Sequence, residues 1–282
     1  GLAPTRGERT LPVDGWYPAY DAQAGGPASV YDLVFTGLAS EVAFDAPAPS
    51  AAGPFPLVVF SHGNDGIRFQ SYFLTEHLAS HGFVVAAPDH VGNSALDILF
   101  PETPFETRYR PLDVSLVISR LLERSAPGSG DAFEGRVDPR RIGVAGHSFG
   151  GFTTLAIATG FQDVPPDPRV RAILPLSPAS SGLSDEELSS IWIPTLLLGG
   201  TADVTTPIDP QTTRPWSLIP ARPRYRVDIV DAGHNSFTNI CALGEALIGA
   251  GLPPNLLDFI LGNLDEGCSP DLIDIDRAHE IT

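Results

Sequence analysis

Gly146-His147-Ser148-Phe149-Gly150 carries the spacing G-x-S-x-G, and Gly151 follows it. A serine in a tight strand-to-helix turn can act as a nucleophile in acyl transfer. The pattern has force only where an apolar strand precedes it and a helix follows. Ile142-Gly143-Val144-Ala145 and the stretch from Phe149 to Ala158 meet both conditions. The glycines have a steric reason: side chains two residues before or after the serine would collide with neighbouring backbone. Such a turn holds the hydroxyl above the sheet, and the helix start offers free backbone N–H groups. The plain alternative is a glycine-rich turn with an incidental serine. Because a serine hydroxyl is a weak nucleophile near neutral pH, a histidine must take its proton and a carboxylate must hold that histidine.

The elements that would position these groups alternate along the chain. Apolar strands are expected at 57–60, 83–87, 141–147, 170–176, 193–198 and 225–230. Helices are expected at 69–80, 112–122 and 149–159, and Ser184-Asp185-Glu186-Glu187 has the form of a capping box. Segments 10–16 and 30–44 precede any helix and read as antiparallel strands at one edge. Strands apolar on both faces, alternating with helices, predict a mainly parallel α/β sheet of about eight strands, covered on both sides. No internal repeat occurs, and residues 1–282 are expected to form one α/β domain.

Four stretches together resemble the α/β-hydrolase superfamily. They are Leu57-Val58-Val59-Phe60-Ser61-His62-Gly63-Asn64, Phe83-Val84-Val85-Ala86-Ala87-Pro88-Asp89-His90, the elbow, and Ala232-Gly233-His234. More narrowly, the chain is similar to dienelactone hydrolase-like and platelet-activating-factor acetylhydrolase-like esterases, and more distantly to cutinase-like polyester hydrolases. In this fold the order is Ser, then Asp or Glu, then His. Only His234 and His279 lie beyond the elbow; His234 is favoured because it follows the strand at 225–230 through a short turn. Asp203 follows the strand at 193–198 through Gly199-Gly200-Thr201-Ala202 and is favoured over Asp209 as the carboxylate. It could otherwise simply cap the turn at 207–211. The oxyanion of a tetrahedral intermediate needs two donors. One is the N–H of Phe149; the other, by resemblance, is the N–H of Asn64. His62 and His147 read as structural supports, and Asp65 would place negative charge at the mouth of the site. Dienelactone hydrolases proper use cysteine where this chain has Ser148, so a simple or lipid-type ester is expected instead.

Composition narrows the class. Of 282 residues, 34 are acidic and 17 basic, giving a formal charge of -17; every basic residue is arginine. With no lysine, a Ser–Lys mechanism is excluded. The acidity makes nucleic acid and anionic lipid unsuitable partners. No apolar run nears the roughly 18 residues of a membrane span. No metal or cofactor motif occurs. The absence of methionine, initiator included, and a Gly1-Leu2-Ala3-Pro4 start predict a removed export signal and a secreted or periplasmic protein, the plain alternative being a trimmed chain. By resemblance, another helix follows a stretch like Asp276-Arg277-Ala278-His279, so the natural chain is expected to run longer. Cys241 and Cys268 are then candidates for one disulfide, against two buried thiols. Three loops are expected to form the site: 91–111 with Phe100, Phe105 and Tyr109, 204–224 with Trp216, and 236–282 with Phe237, Leu256, Leu257 and Phe259. Their aromatics either line an ester groove or pack the loops down. The expected activity is monomeric serine carboxylester hydrolysis of neutral short-acyl, lipid-type or polyester substrates. The alternatives are a non-catalytic binding protein on the same fold, and an acyltransferase or amidase.

Overall fold

The apolar runs become strands of a seven-stranded sheet in a computed structural model that describes residues 10–19, 26–99, 104–252 and 254–282. In chain order the elements are β1 (Val13–Trp16), β2 (Ala28–Asp32), β3 (Gly37–Phe44), β4 (Phe55–Ser61), α1 (Tyr72–Ser80), β5 (Val84–Pro88), α2 (Ala95–Leu99), α3 (Tyr109–Ser125), β6 (Val137–His147), α4 (Phe149–Thr159), β7 (Ala172–Leu176), α5 (Asp185–Ser189), β8 (Thr195–Gly200), α6 (Arg214–Leu218), β9 (Arg224–Ile229), α7 (Ile240–Ile248), α8 (Pro254–Cys268) and α9 (Ile275–Ile281). The strand order is β1-β5-β4-β6-β7-β8-β9; β1 runs antiparallel to β5 and the other neighbours are parallel.

Alternate side chains of each strand enter opposite cores. On one face Leu57, Val59, Val144, Ile173 and Leu197 meet Val114 and Ile118 of α3 and Phe152 and Leu155 of α4. On the other, Phe60, Val85, Leu198 and Ile229 meet Leu74 of α1, Phe237 and Leu243 of α7. Lower on this second face an apolar groove of about 440 Å³ lies open beside Val58, Leu174, Leu196 and Tyr225.

The segment at 30–44 does not extend the edge of the main sheet. It belongs to β2 and β3, which pair with each other as a separate two-stranded sheet. Side chains explain the departure. Tyr31 stacks on Phe69 and Tyr72 at 5.1 and 4.8 Å between ring centres. Its hydroxyl and that of Ser40 both donate to Glu76 on α1. These contacts seat the hairpin on a helix instead of on a strand edge.

Two pairings in the register position the chemistry. Ser61 at the end of β4 lies opposite Gly146 in β6, so the loops leaving these strands emerge side by side. Gly200 at the end of β8 lies opposite Ile229 of β9, which brings the loops carrying Asp203 and His234 together.

Candidate active site

Ser148 joins β6 to α4 with φ +58° and ψ −117°, a backbone state that few non-glycine residues adopt. The turn exists because Gly146 and Gly150 lack side chains: a Cβ at Gly150 would overlap the carbonyl oxygen of Ser61, and one at Gly146 the carbonyl of Gly150. The close approach that requires glycine also packs the elbow against the end of β4.

Ser148, Asp203 and His234 come together, all three buried, with Ser148 and His234 bordering a cavity. Ser148 Oγ lies 2.8 Å from His234 Nε2, and His234 Nδ1 lies 2.9 Å from Asp203 Oδ2. This spacing lets the ring accept the serine proton on one nitrogen while the other donates to the carboxylate. Thr206 completes the acid's surroundings. Its N–H donates to Asp203 Oδ1 at 2.6 Å, and its hydroxyl donates to Asp203 Oδ2 at 2.7 Å. Burial raises the Asp203 pKa, but hydrogen bonds from His234 and Thr206 outweigh it and hold the carboxyl below its ordinary value. Asp203 therefore both serves His234 and caps its own loop. The rivals lie elsewhere: Asp209 accepts from the Thr213 hydroxyl, and His279 donates to the carbonyl of Thr238 while stacking on Phe73.

His147 is fully enclosed and links three segments. Its Nε2–H donates to the carbonyl of His234 at 2.8 Å, and its Nδ1 accepts from Gln70 Nε2 at 3.1 Å. Gln70 Oε1 in turn accepts the N–H of Gly63 at 3.0 Å. One chain of neutral hydrogen bonds thus runs from the loop after β4, through the elbow, to the backbone of His234. Burial first, and the neighbouring His234 second, push the His147 pKa down to about 3, so it remains neutral.

The loop at 61–64 lies against the serine: a Cβ on Gly63 would sit 3.5 Å from Ser148 Cβ. The N–H groups of Asn64 and Phe149 have no protein acceptor among the described residues. Asn64 borders the same cavity as Ser148, and Phe149 opens α4. Asp65 lines the cavity with φ +50° and accepts from the side chains of Asn64 and Asn93. His62 is wholly buried; its Nε2 accepts the N–H of His90, which leaves its Nδ1–H to donate to Gly63 O at 2.7 Å. Burial, and then the nearby Arg110 charge, hold His62 well below its ordinary pKa.

The cavity beside Ser148 and His234 measures about 390 Å³. All three expected loops reach it, through Leu96, Thr205, and Ile240, Leu243 and Glu266. Their aromatics do not: Phe105 packs on Phe149, Trp216 lies beneath Arg224, the Tyr109 hydroxyl donates to Glu106, and Phe237 is core. Phe100 lies outside the described residues, as does the start of the chain with its export-signal reading, and the side chains of Leu256 and Phe259 are not described. Beside the aliphatic residues of those loops, the β2–β3 turn adds Leu33, Val34 and Phe35 to the apolar wall, a stretch that the sequence pattern places in an edge strand. Asp65 and Glu266 are the charged residues lining the cavity among the described residues. Cys241 and Cys268 form a disulfide joining α7 to the end of α8. Among the described residues, no group of three or more His, Cys, Asp or Glu side chains could hold a metal ion, and no helix is long and apolar enough to cross a membrane.

A strand-to-helix serine elbow, a carboxylate and an imidazole past adjacent strand ends, and a mostly parallel sheet with one antiparallel edge define an α/β-hydrolase. The model of the PET hydrolase-like family matches residues 46–247, so the chain belongs to that family. It is 30% identical over 177 residues to Cutinase 2 of Thermobifida cellulosilytica, covering 63% of this chain and 55% of that one. To the bis(hydroxyethyl) terephthalate hydrolase of Streptomyces coelicolor it is 31% identical over 217 residues, covering 75% and 62%. The chain spans about half the length of the curated relatives it matches. Among solved structures, a ferulic acid esterase from Streptomyces cinnamoneus superposes with a TM-score of 0.63 at 27% identity, covering 96% of this chain and 79% of that one.

Proposed function

We propose that the protein is a serine carboxylester hydrolase. The observation that carries this reading is the hydrogen-bonded series Ser148–His234–Asp203, with spacings of 2.8 and 2.9 Å, beside an apolar cavity. Ser148 Oγ attacks the ester carbonyl as His234 Nε2 takes its proton. The N–H groups of Asn64 and Phe149 bind the oxyanion, and Asp203 stabilises the imidazolium. Collapse of the intermediate breaks the ester C–O bond, and His234 returns the proton to the leaving alkoxide. Water, activated by the same histidine, then releases the acid and restores Ser148.

The cavity supports a substrate class. Its walls are mainly apolar, and Asp65 and Glu266 oppose an added negative charge. A recessed pocket of about 390 Å³ accepts the acyl or alcohol portion of a small, uncharged ester more readily than a segment of a polymer film. A second reading, polyester hydrolysis, is favoured by the family match and by the terephthalate-ester hydrolase among the relatives. The disulfide supports an extracellular or periplasmic location. Because each of the named groups comes from one chain, a monomer suffices.

The test is Ser148→Ala, expected to abolish turnover of a short activated ester and covalent labelling by a fluorophosphonate; unchanged turnover refutes the assignment. A series of esters of increasing acyl length, set beside a polyester film, separates the two substrate readings. Faster transfer to an added alcohol, or faster cleavage of an anilide, would redirect the assignment to an acyltransferase or amidase. An unlabelled wild-type chain would make it a binding protein.

A further inference from the structure

Arg110, in the first turn of α3, is completely buried. Its Nη2 donates to the carbonyl of Gly63 at 2.8 Å and its Nη1 to the carbonyl of His62 at 2.7 Å. Its Nε donates to Asn93 Oδ1 at 3.0 Å, and longer contacts of 3.4 Å reach Ser61 Oγ and Thr153 Oγ1. The guanidinium also lies 4.6 Å from the centre of the Phe149 ring. It therefore touches both segments that carry the proposed oxyanion donors, the N–H groups of Asn64 and Phe149. Burying a cation carries a desolvation cost that an apolar residue would avoid. Burial draws the Arg110 pKa down to about 9, with Asp113 and Asp65 opposing the fall, so it remains charged at neutral pH.

The geometry points to Arg110 as a positioning residue for the oxyanion site, a role that rests on the serine-hydrolase reading. The C=O of Gly63 and the N–H of Asn64 belong to one planar peptide and point in opposite directions. Three donors hold that carbonyl: Arg110 Nη2 from α3, and His62 Nδ1 and the Gly66 N–H from the loop itself. The Asn64 N–H is thereby turned away from α3, on a loop that lies against Ser148. A cation at the oxygen end also polarises the peptide and strengthens its N–H as a donor to a developing oxyanion. Arg110 touches no reacting atom; it acts through the peptide.

Replacing Arg110 by Met keeps the volume and removes both donors and charge. The expected result is a fall in kcat of about 10- to 100-fold, with KM within about threefold, because the donor matters in the transition state. The distinguishing readout is the ratio of oxoester to thionoester turnover, since sulfur accepts hydrogen bonds weakly and gains little from the site. That ratio should fall about tenfold in Arg110→Met and by less in Arg110→Lys, which keeps the charge but reaches fewer carbonyls. End-point fluorophosphonate labelling counts competent sites, and Ser148→Ala checks the underlying reading independently. Residual turnover by Ser148→Ala sinks that reading and this one with it. An inert Ser148→Ala together with an unchanged ratio in a folded Arg110 variant overturns only the role of Arg110. If Arg110→Met does not fold, Arg110→Lys decides on the same ratio; loss of the fold in both assigns Arg110 to the core and overturns the proposal.

Discussion

Reducing the Cys241–Cys268 bond is expected to lower stability and activity together. The bond closes a loop of 27 residues, and cross-linking a loop of that length removes denatured-state entropy equivalent to about 3–4 kcal/mol at 25 °C. For a chain of 282 residues this corresponds to a Tm loss of roughly 6 °C. The effect reaches the site because α8, which ends at Cys268, supports both flanking loops. Glu266 accepts the Thr205 hydroxyl at 2.6 Å, next to Thr206 and hence to Asp203. Gly233 packs so closely on the Glu266 carbonyl that a Cβ there would overlap it, and Asn235 donates to the carbonyl of Asn263 at 2.9 Å. Loosening α8 therefore frees the turn before His234 and the loop after Asp203. Thermal melts and initial rates on a short ester, with and without a phosphine reductant, measure both effects. Free-thiol titration confirms reduction, and Cys241→Ser/Cys268→Ser controls for the reductant. Two titratable thiols with Tm moved by less than about 1 °C and an unchanged kcat would refute the entropic argument and the support attributed to α8.

Asp203→Asn should leave the fold intact and lower kcat by about 10⁴, because the amide favours the wrong imidazole tautomer; a loss below tenfold would show that another group orients His234. Gln70→Leu leaves the Gly63 N–H and His147 Nδ1 without their partner, so a loss of about 1–3 kcal/mol in stability is expected with a fall in kcat. Denaturant melts and steady-state rates check both. His147 makes stability pH-dependent. Its folded pKa of about 3 lies below the ordinary 6.5, so the unfolded chain binds the extra proton between these values. Its contribution is complete above pH 6.5 and is lost as pH falls toward 3, amounting to about 4–5 kcal/mol. Asp203, also lowered, acts in the same direction at lower pH. Urea melts from pH 7 to 4 should steepen accordingly, and His147→Gln should flatten the curve; a parallel curve would count against the assignment.

The sheet and elbow were legible because local rules dictate them: uninterrupted apolar runs make buried strands, and glycine punctuation marks the turns at their ends. Asp203 and His234 could be picked out for the same reason, each lying a few residues past a strand. Thr206, Gln70 and Arg110 were not legible, since each acts by meeting backbone or side chains distant in sequence. Their types carry no signal of this: Gln70 precedes a helix, and Arg110 is one arginine among 17. The cavity wall from Leu33 to Phe35 was missed because the sequence pattern places a strand without naming its partner. Only the stacking of Tyr31 on Phe69 and Tyr72 explains why the hairpin leaves the sheet edge and its turn borders the cavity.

A second Ser–His–Asp series shows that spacing alone does not make a nucleophile. Ser61 Oγ lies 2.8 Å from His90 Nε2, and His90 Nδ1 lies 3.0 Å from Asp113 Oδ2, distances close to those of Ser148, His234 and Asp203. What differs is access. Ser61 and His90 are 0% exposed; Ser61 ends a β-strand, with Arg110 Nη1 3.4 Å from its hydroxyl, and neither residue borders the cavity. Ser148, by contrast, stands on a turn whose glycines exist to lift it to the cavity wall. Labelling with excess fluorophosphonate, followed by peptide mapping, should therefore place a single adduct on Ser148 and none on Ser61. In Ser148→Ala the chain should stay unlabelled while folded. Modification of Ser61 in the folded protein would mean that hydrogen-bond spacing, and not the elbow's exposure, selects the reactive serine.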